Sequence, residues 1–231
     1  MLKQTMAWSK HEDFKVRRLS SEGIRPMLPW AMGLPYYKKD PSDIIPILEN
    51  LKDDPEEFVR RSVANNLNDI SKNQPELVLD IADKWFGENE NRNRLVKHAL
   101  RTLLKQGNSR ALAHFGYAEI KSIALSDFEI NQARVKVGEA IPFSFKLKNK
   151  ETKQARIRVE YAIYYLKSNG THSKKVFKIS ERDLAAQSLV EIEKSHSFRV
   201  ITTRVFYPGI HKLSLIINGK EFESNEFELI D

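Results

Sequence analysis

The spacing of apolar residues changes once along this 231-residue chain, and that change limits what it can fold into. Up to about Phe115 apolar side chains recur every three or four residues, as on one face of an α-helix. Beyond Gly116 they alternate with polar ones, as on a half-buried β-strand. The pattern predicts a multidomain chain, α then β, with a helical domain over residues 1–120 and a β-domain over residues 121–231.

In the first half, Leu2 and Met6 open a short helix, and Phe14 to about Glu22 forms a second, ended by Gly23 and Pro26. The segment from Leu28 to Pro41 is too proline-rich for helix and is expected to be a connecting loop. Further helices are predicted on Ile44–Leu51, on Phe58–Ile70, on Leu77–Trp85 behind Pro75, from about Asn93 to Lys105, and over Arg110–Phe115. Three segments look equivalent: Val16-Arg17-Arg18-Leu19, Val59-Arg60-Arg61-Ser62 and Val96-Lys97-His98-Ala99. Arg17, Arg60 and Lys97 lie 43 and 37 residues apart, the length of HEAT or armadillo-type units. The expectation is a HEAT-like helical repeat solenoid, a right-handed stack whose second helices line a concave wall. That wall would carry Arg17, Arg18, Arg25, Arg60, Arg61, Lys97, Arg101 and Lys105. With a formal net charge of +7 and a pI near 9.4, the chain suits an anionic partner, nucleic acid or membrane. Several of these cations are expected instead to pair with carboxylates of the adjacent repeat and hold the stack.

The helix Phe58–Ile70 breaks local rules. Val59, Val63, Leu67 and Ile70 make its apolar face, while Arg61, Asn65 and Asp69, four apart, form a polar ridge beside it. Asparagine competes for backbone hydrogen bonds in a helix, and a carboxylate near the C-terminus meets the wrong end of the macrodipole. Departures of this kind mark functional sites, although the same side chains would also serve to bond a neighbouring turn.

In the second half, strands are expected around Ile141–Leu147, Ile157–Tyr165, Lys175–Lys178, Leu189–Ile192, Phe198–Ile201, Leu213–Ile217 and Phe222–Ile230. Asn169-Gly170 and Asn218-Gly219 read as hairpin turns. Around seven such strands predict an immunoglobulin-like β-sandwich, with His211 at the place of that fold's tyrosine corner and in a structural role. There is no cysteine, which excludes disulfides and thiolate metal sites. No apolar run approaches the ~20 residues of a membrane span, and Met1–Thr5 lacks the apolar core of a signal peptide. A soluble, cytoplasmic monomer is expected. No metal motif, phosphate-binding glycine loop or nucleophile triad is present, so a mechanism without cofactor is the simplest.

Four stretches together resemble the AlkC branch of the HEAT-like alkylpurine DNA glycosylases: Val16–Pro26 with Leu28-Pro29-Trp30-Ala31, Phe58–Asp69 with its Asn-Asn-Leu-Asn-Asp string, His98–Leu103, and Lys175–Lys178 through Thr203-Arg204 to Tyr207–His211. The resemblance covers nearly the whole chain. It implies helical repeats followed by an immunoglobulin-like domain, and removal of positively charged N-alkylated purines from double-stranded DNA. The family's catalytic carboxylates map onto Glu22 and Asp69. Further helical repeats, with another active-site carboxylate, are expected in that family ahead of the point where this chain begins.

The residues are consistent with that chemistry. A cationic purine leaves without protonation, so what remains is to stabilise positive charge on the deoxyribose and to orient water, which carboxylates do. Arg25, Arg61, Arg101 and Lys105 would hold flanking phosphates, with Asn65 and Asn66 on the same DNA-binding surface. Trp30 would either pack beside the sugar or base or anchor its loop. Lys174, Lys175, Lys178 and Arg204 would grip the duplex from the β-domain. Two rivals are a catalytically impaired DNA-binding relative with the same basic wall, and a protein-interaction scaffold.

Overall fold

The computed structural model describes residues 1–28, 31–117, 120–200, 202 and 205–231, with Ile120 by its backbone alone. It divides into two compact units, Met1–His114 and Phe115–Asp231. The described residues of the first form nine helices: α1 (Leu2–Trp8), α2 (Phe14–Glu22), α3 (Pro35–Lys39), α4 (Ile45–Leu51), α5 (Glu57–Ile70), α6 (Pro75–Trp85), α7 (Glu90–Ala99), α8 (Arg101–Lys105) and α9 (Ser109–His114). None of the described helices is long and apolar enough to cross a membrane.

The helices pack as pairs, α1 with α2, α4 with α5 and α6 with α7, and the second helices α2, α5 and α7 lie against one another. This is the HEAT-like arrangement. Each pair hides its apolar stripe in a shared interior, where Ile24, Ile47, Leu48, Leu51, Val59, Val63, Leu67, Val78, Leu79 and Val96 are buried. Two local expectations need correction. Pro35–Lys39 is a helix, not loop, because a proline in the first turn gives up only an N–H that would be unpaired there. Secondly, the helix expected over Asn93–Lys105 is broken at Leu100, whose φ and ψ are −84° and 4°. The cause is a side chain from α5. Asn68 Oδ1 accepts from both the backbone N–H and the hydroxyl of Thr102, at 3.2 and 2.9 Å. That N–H would otherwise continue the ladder to the His98 carbonyl, which instead accepts from Arg101 Nη1 at 2.7 Å.

The second unit is a sandwich of two sheets. One holds β1 (Ile123–Ile130), β3 (Ala140–Asn149) and β6 (Leu189–Ser197) in the order β1-β3-β6. The other runs β2-β8-β7-β4-β5, with β2 (Arg134–Lys136), β4 (Ala155–Leu166), β5 (His172–Leu184), β7 (Gly209–Ile217) and β8 (Lys220–Ile230). The Asn218-Gly219 turn has φ of 45° and 78° at its two residues, the mirror-image turn that suits strand twist. Phe198, expected to open a strand, lies beyond the end of β6 as a fully buried core residue; Ile201 is outside the described residues. His211 is fully buried and its Nδ1–H donates to the Gly209 carbonyl at 3.1 Å, a structural role.

A second histidine ties the sheets together. His196 on β6 sits between two β4 phenols, with Nδ1 2.8 Å from Tyr161 Oη and Nε2 2.8 Å from Tyr165 Oη. A neutral imidazole has one N–H and one lone pair, so one phenol donates and the other accepts. His196→Phe takes that partner from both buried hydroxyls. It should cost about 2–5 kcal/mol of stability, read by urea unfolding followed through near-ultraviolet circular dichroism.

Candidate active site

The site is built where α2 meets α5. Asp13 caps α2, accepting from the Lys15 N–H at 2.8 Å, and Glu22 is that helix's last residue. Gly23 ends the helix and Ile24 is buried whole, which turns Arg25 back toward α5. On α5 the residues Ser62, Asn66 and Asp69 share the side facing α2. Asn66 is fully buried and its Nδ2 donates to the Ser21 carbonyl at 3.0 Å, stapling the two helices. It therefore does not present itself to DNA, as the sequence had suggested.

Arg25 joins the two carboxylates. Its Nη1 donates to Glu22 Oε1 at 2.6 Å, while Nε and Nη2 both lie 2.9 Å from Asp69 Oδ2. Glu22 Oε2 also accepts from Ser62 Oγ at 2.8 Å and lies 3.4 Å from Arg18 Nη2. Asp69 Oδ1 is 3.2 Å from Lys72 Nζ. Arg25 is 7% exposed and Asp69 2%, so the expectation that Arg25 reaches a phosphate is corrected: its guanidinium is committed inside the protein. Burial alone would raise the Glu22 pKa, but the Ser62 hydrogen bond and the charges of Arg25 and Arg18 outweigh it and hold the carboxyl below its ordinary value. Burial likewise works against the Arg25 charge, and its two carboxylate partners more than restore it. The result is an ionised glutamate beside a clasped aspartate, the two carboxylates coming from neighbouring second helices.

Around the clasp the remaining candidates take different places. Asn65 Oδ1 lies 2.9 Å from His98 Nε2. Burial, then Arg101 and Arg61, push the His98 pKa down to about 4, so the ring is neutral and Nε2–H donates to Asn65. Arg61 is exposed and lines a cavity of about 280 Å³ with Arg60, Arg94 and His98. Arg101 is half-buried and burial lowers its pKa, opposed by the charge of Asp69. Lys105 is exposed at the end of α8. Among the described residues neither Arg61 nor Lys105 makes an ion pair. Arg17 does, with Asp54 at 2.5 Å, which ties α2 to the turn before α5, and Arg60 binds the Asp54 and Pro55 carbonyls of that same turn. Two neighbours escaped the sequence reading, Ser62 and Lys72, while Arg18, expected on the basic wall, stacks 4.2 Å over the half-exposed Phe58 ring. Ser62 and Lys72 were legible as positions seven before and three after Asp69, the spacings that share its helix side.

In the β-unit, Lys175 pairs across from Ile163 and Lys178 from Glu160, so the two lysines lie on opposite faces of the sheet. Lys175 Nζ lies 5.4 Å over the Phe177 ring, and Lys178 pairs with Glu181 at 2.8 Å. They do not form one gripping patch. Trp30 and Arg204 lie outside the described residues. Among the described residues no three His, Asp or Glu side chains converge to hold a metal ion.

The neutral His98 has a consequence for stability. Its folded pKa lies below its unfolded value near 6.5, so between about pH 6.5 and 4 the unfolded chain binds the extra proton and stability falls on acidification. His98→Gln should flatten the unfolding free energy in that window relative to the parent, measured by urea titrations at pH 4.5, 5.5 and 6.5.

Comparison with known proteins accords with this architecture. Residues 1–106 match the family model described as DNA alkylation repair enzyme. Residues 124–231 match the model described as uncharacterised protein YhaZ, C-terminal Ig-like domain. The chain is 45% identical over 229 residues to the uncharacterised protein YhaZ of Bacillus subtilis (strain 168), an alignment covering 99% of this chain and 64% of that protein. It is 40% identical, with a TM-score of 0.94, to the Pseudomonas fluorescens alkylpurine DNA glycosylase AlkC bound to DNA containing an abasic site analog. That match covers 100% of this chain and 64% of the other, so the chain spans under two thirds of the length of both relatives. The helical half of the chain is thus similar to the DNA alkylation repair enzyme family, and the half that follows it to the immunoglobulin-like domain of the YhaZ type.

Proposed function

We propose that the chain is a DNA glycosylase, hydrolysing the N-glycosidic bond of cationic N-alkylated purines such as N3-methyladenine in double-stranded DNA. The observation that carries this reading is the pair of carboxylates, Glu22 and Asp69, brought from two adjacent helices onto one buried arginine. The similar glycosylase from Pseudomonas fluorescens, seen bound to DNA with an abasic site analog, supports the same substrate class.

The chemistry follows from charge. An alkylated purine already carries a positive charge, so the C1′–N bond breaks with its electron pair going to the base, which leaves neutral. Positive charge then sits on the deoxyribose. Carboxylates fixed beside it stabilise that charge without reorganising, because Arg25 and Ser62 have set their positions beforehand. Water adds its oxygen to C1′ and sheds a proton to a carboxylate and then to solvent. Arg61, Arg101 and Lys105, none of them paired with a carboxylate among the described residues, take flanking phosphates of the duplex. No base-reading contact is needed, since the lesion is selected by the lability of its own bond.

Asp69→Asn tests the proposal. The amide is nearly isosteric, so affinity for damaged duplex should be kept or raised, because one acid near phosphates is gone. The single-turnover rate of N3-methyladenine release should fall about a hundredfold or more. A folded variant that excises at the parent rate would make Asp69 structural, and a parent that binds duplex without releasing base would leave a DNA-binding protein only.

A further inference from the structure

Asp69 is almost wholly enclosed, yet a carboxylate acting on a sugar needs a bare oxygen facing it. Its two oxygens are covered unequally. Oδ2 takes both contacts from Arg25, which is itself buried and bound to Glu22, so that side cannot open without dismantling the clasp. Oδ1 has one partner among the described residues, Lys72 Nζ at 3.2 Å. Lys72 lies two residues past the end of α5, just beyond the Ser71 cap, and its side chain is 37% exposed against 3% for Asp69. Nζ also lies 3.8 Å from Met27 Sδ, a weak acceptor that adds little to hold it.

We infer that Lys72 is a positioning residue for Asp69: it covers Oδ1 in the free protein and moves to a backbone phosphate when a duplex docks, leaving Oδ1 open to the deoxyribose. The inference rests on the reading of duplex DNA as the ligand of this wall. Its physical basis is a difference between two anions competing for one exposed ammonium. A pair made by a part-exposed lysine is screened and weak, whereas a phosphate of a duplex recruits the lysine with release of a condensed counterion. The long lysine stem lets Nζ swing several ångströms while its backbone stays at the helix end. Asp69 does not need to move, because Arg25 fixes it from the other side. Arg101, half-buried and close enough to feel Asp69, keeps a second cation near the carboxylate after Lys72 departs. In this arrangement the reactive oxygen is uncovered only where phosphate is present, and Lys72 is spent on Asp69 whenever it is not.

The experiment is a double-mutant cycle on affinity for a duplex carrying a tetrahydrofuran abasic analogue, with Lys72→Met and Asp69→Asn alone and together. In the parent, docking trades one pair for another, so Lys72→Met should weaken binding only about threefold. With Asp69→Asn in place no carboxylate competes, and the same change should cost about tenfold. The salt slope should drop by about one with loss of Lys72 in either background. Single-turnover excision by Lys72→Met at saturating duplex should stay at or above the parent rate while the half-saturating concentration rises, and Lys72→Arg should keep parent affinity. Equal costs in the two backgrounds, an unchanged salt slope, or a lower saturated rate in Lys72→Met would each overturn the inference. A parent chain with no affinity for the duplex would instead overturn the reading of DNA as ligand, and this inference with it.

Discussion

The candidate site depends on one buried guanidinium. Arg25 has little access to water, and a charge removed from water is tolerated only when paired and fully hydrogen-bonded. Glu22 and Asp69 supply that pairing, and neither carboxylate would be stable in its place without Arg25. Buried ion pairs of this kind add little net stability compared with apolar side chains of equal size, so their value lies in geometry. Here the geometry is a fixed separation of two anions contributed by two different repeats. The clasp also answers the objection to a carboxylate at the C-terminal end of α5, because Arg25 and Lys72 place two cations against Asp69 that oppose the unfavourable end of the helix dipole.

The helical stack exists to hold that geometry, and α5 is its reference element. One side of α5 sends Asn66 to the Ser21 carbonyl and Ser62 to Glu22; another sends Asn65 toward His98, and Asn68 into the gap between α7 and α8. The Asn65-Asn66-Leu67-Asn68-Asp69 string is thus four polar side chains with four different partners around one buried leucine. Asparagine suits Asn66 and Asn68 because each is buried and meets backbone groups of a neighbouring segment, to which its amide can donate or from which it can accept. The kink that Asn68 imposes frees the His98 carbonyl, and Arg101 is held by it a short way from Asp69.

Much of this was legible in the residues. The change of period located the division between helices and strands, and the Val59, Val63, Leu67 stripe identified the buried side of α5 without any contact information. Asn218-Gly219 turned as its composition dictates. What escaped was long-range or irregular. No local pattern says that Arg25, in the turn after α2, folds inward rather than out to a phosphate; that depends on Asp69, 44 positions away. The break at Leu100 comes from a side chain on another helix. β1 was missed because Asp127, at φ 51°, sits in a bulge between Ser126 and Glu129 that interrupts the alternation. The placement of Lys175 and Lys178 on opposite faces, by contrast, follows from their separation of three residues within β5, ahead of the register shift between Val159 and Glu160.

The most direct test of the clasp is the unfolding free energy, by urea titration at pH 7, of Arg25→Met alone and of the triple variant Arg25→Met, Glu22→Gln, Asp69→Asn. If Arg25 is the main counter-charge of the two carboxylates, the single change should cost about 3–5 kcal/mol and the triple change should recover more than half of that. A single variant that loses less than about 1 kcal/mol, or a triple variant no more stable than the single, would contradict the account.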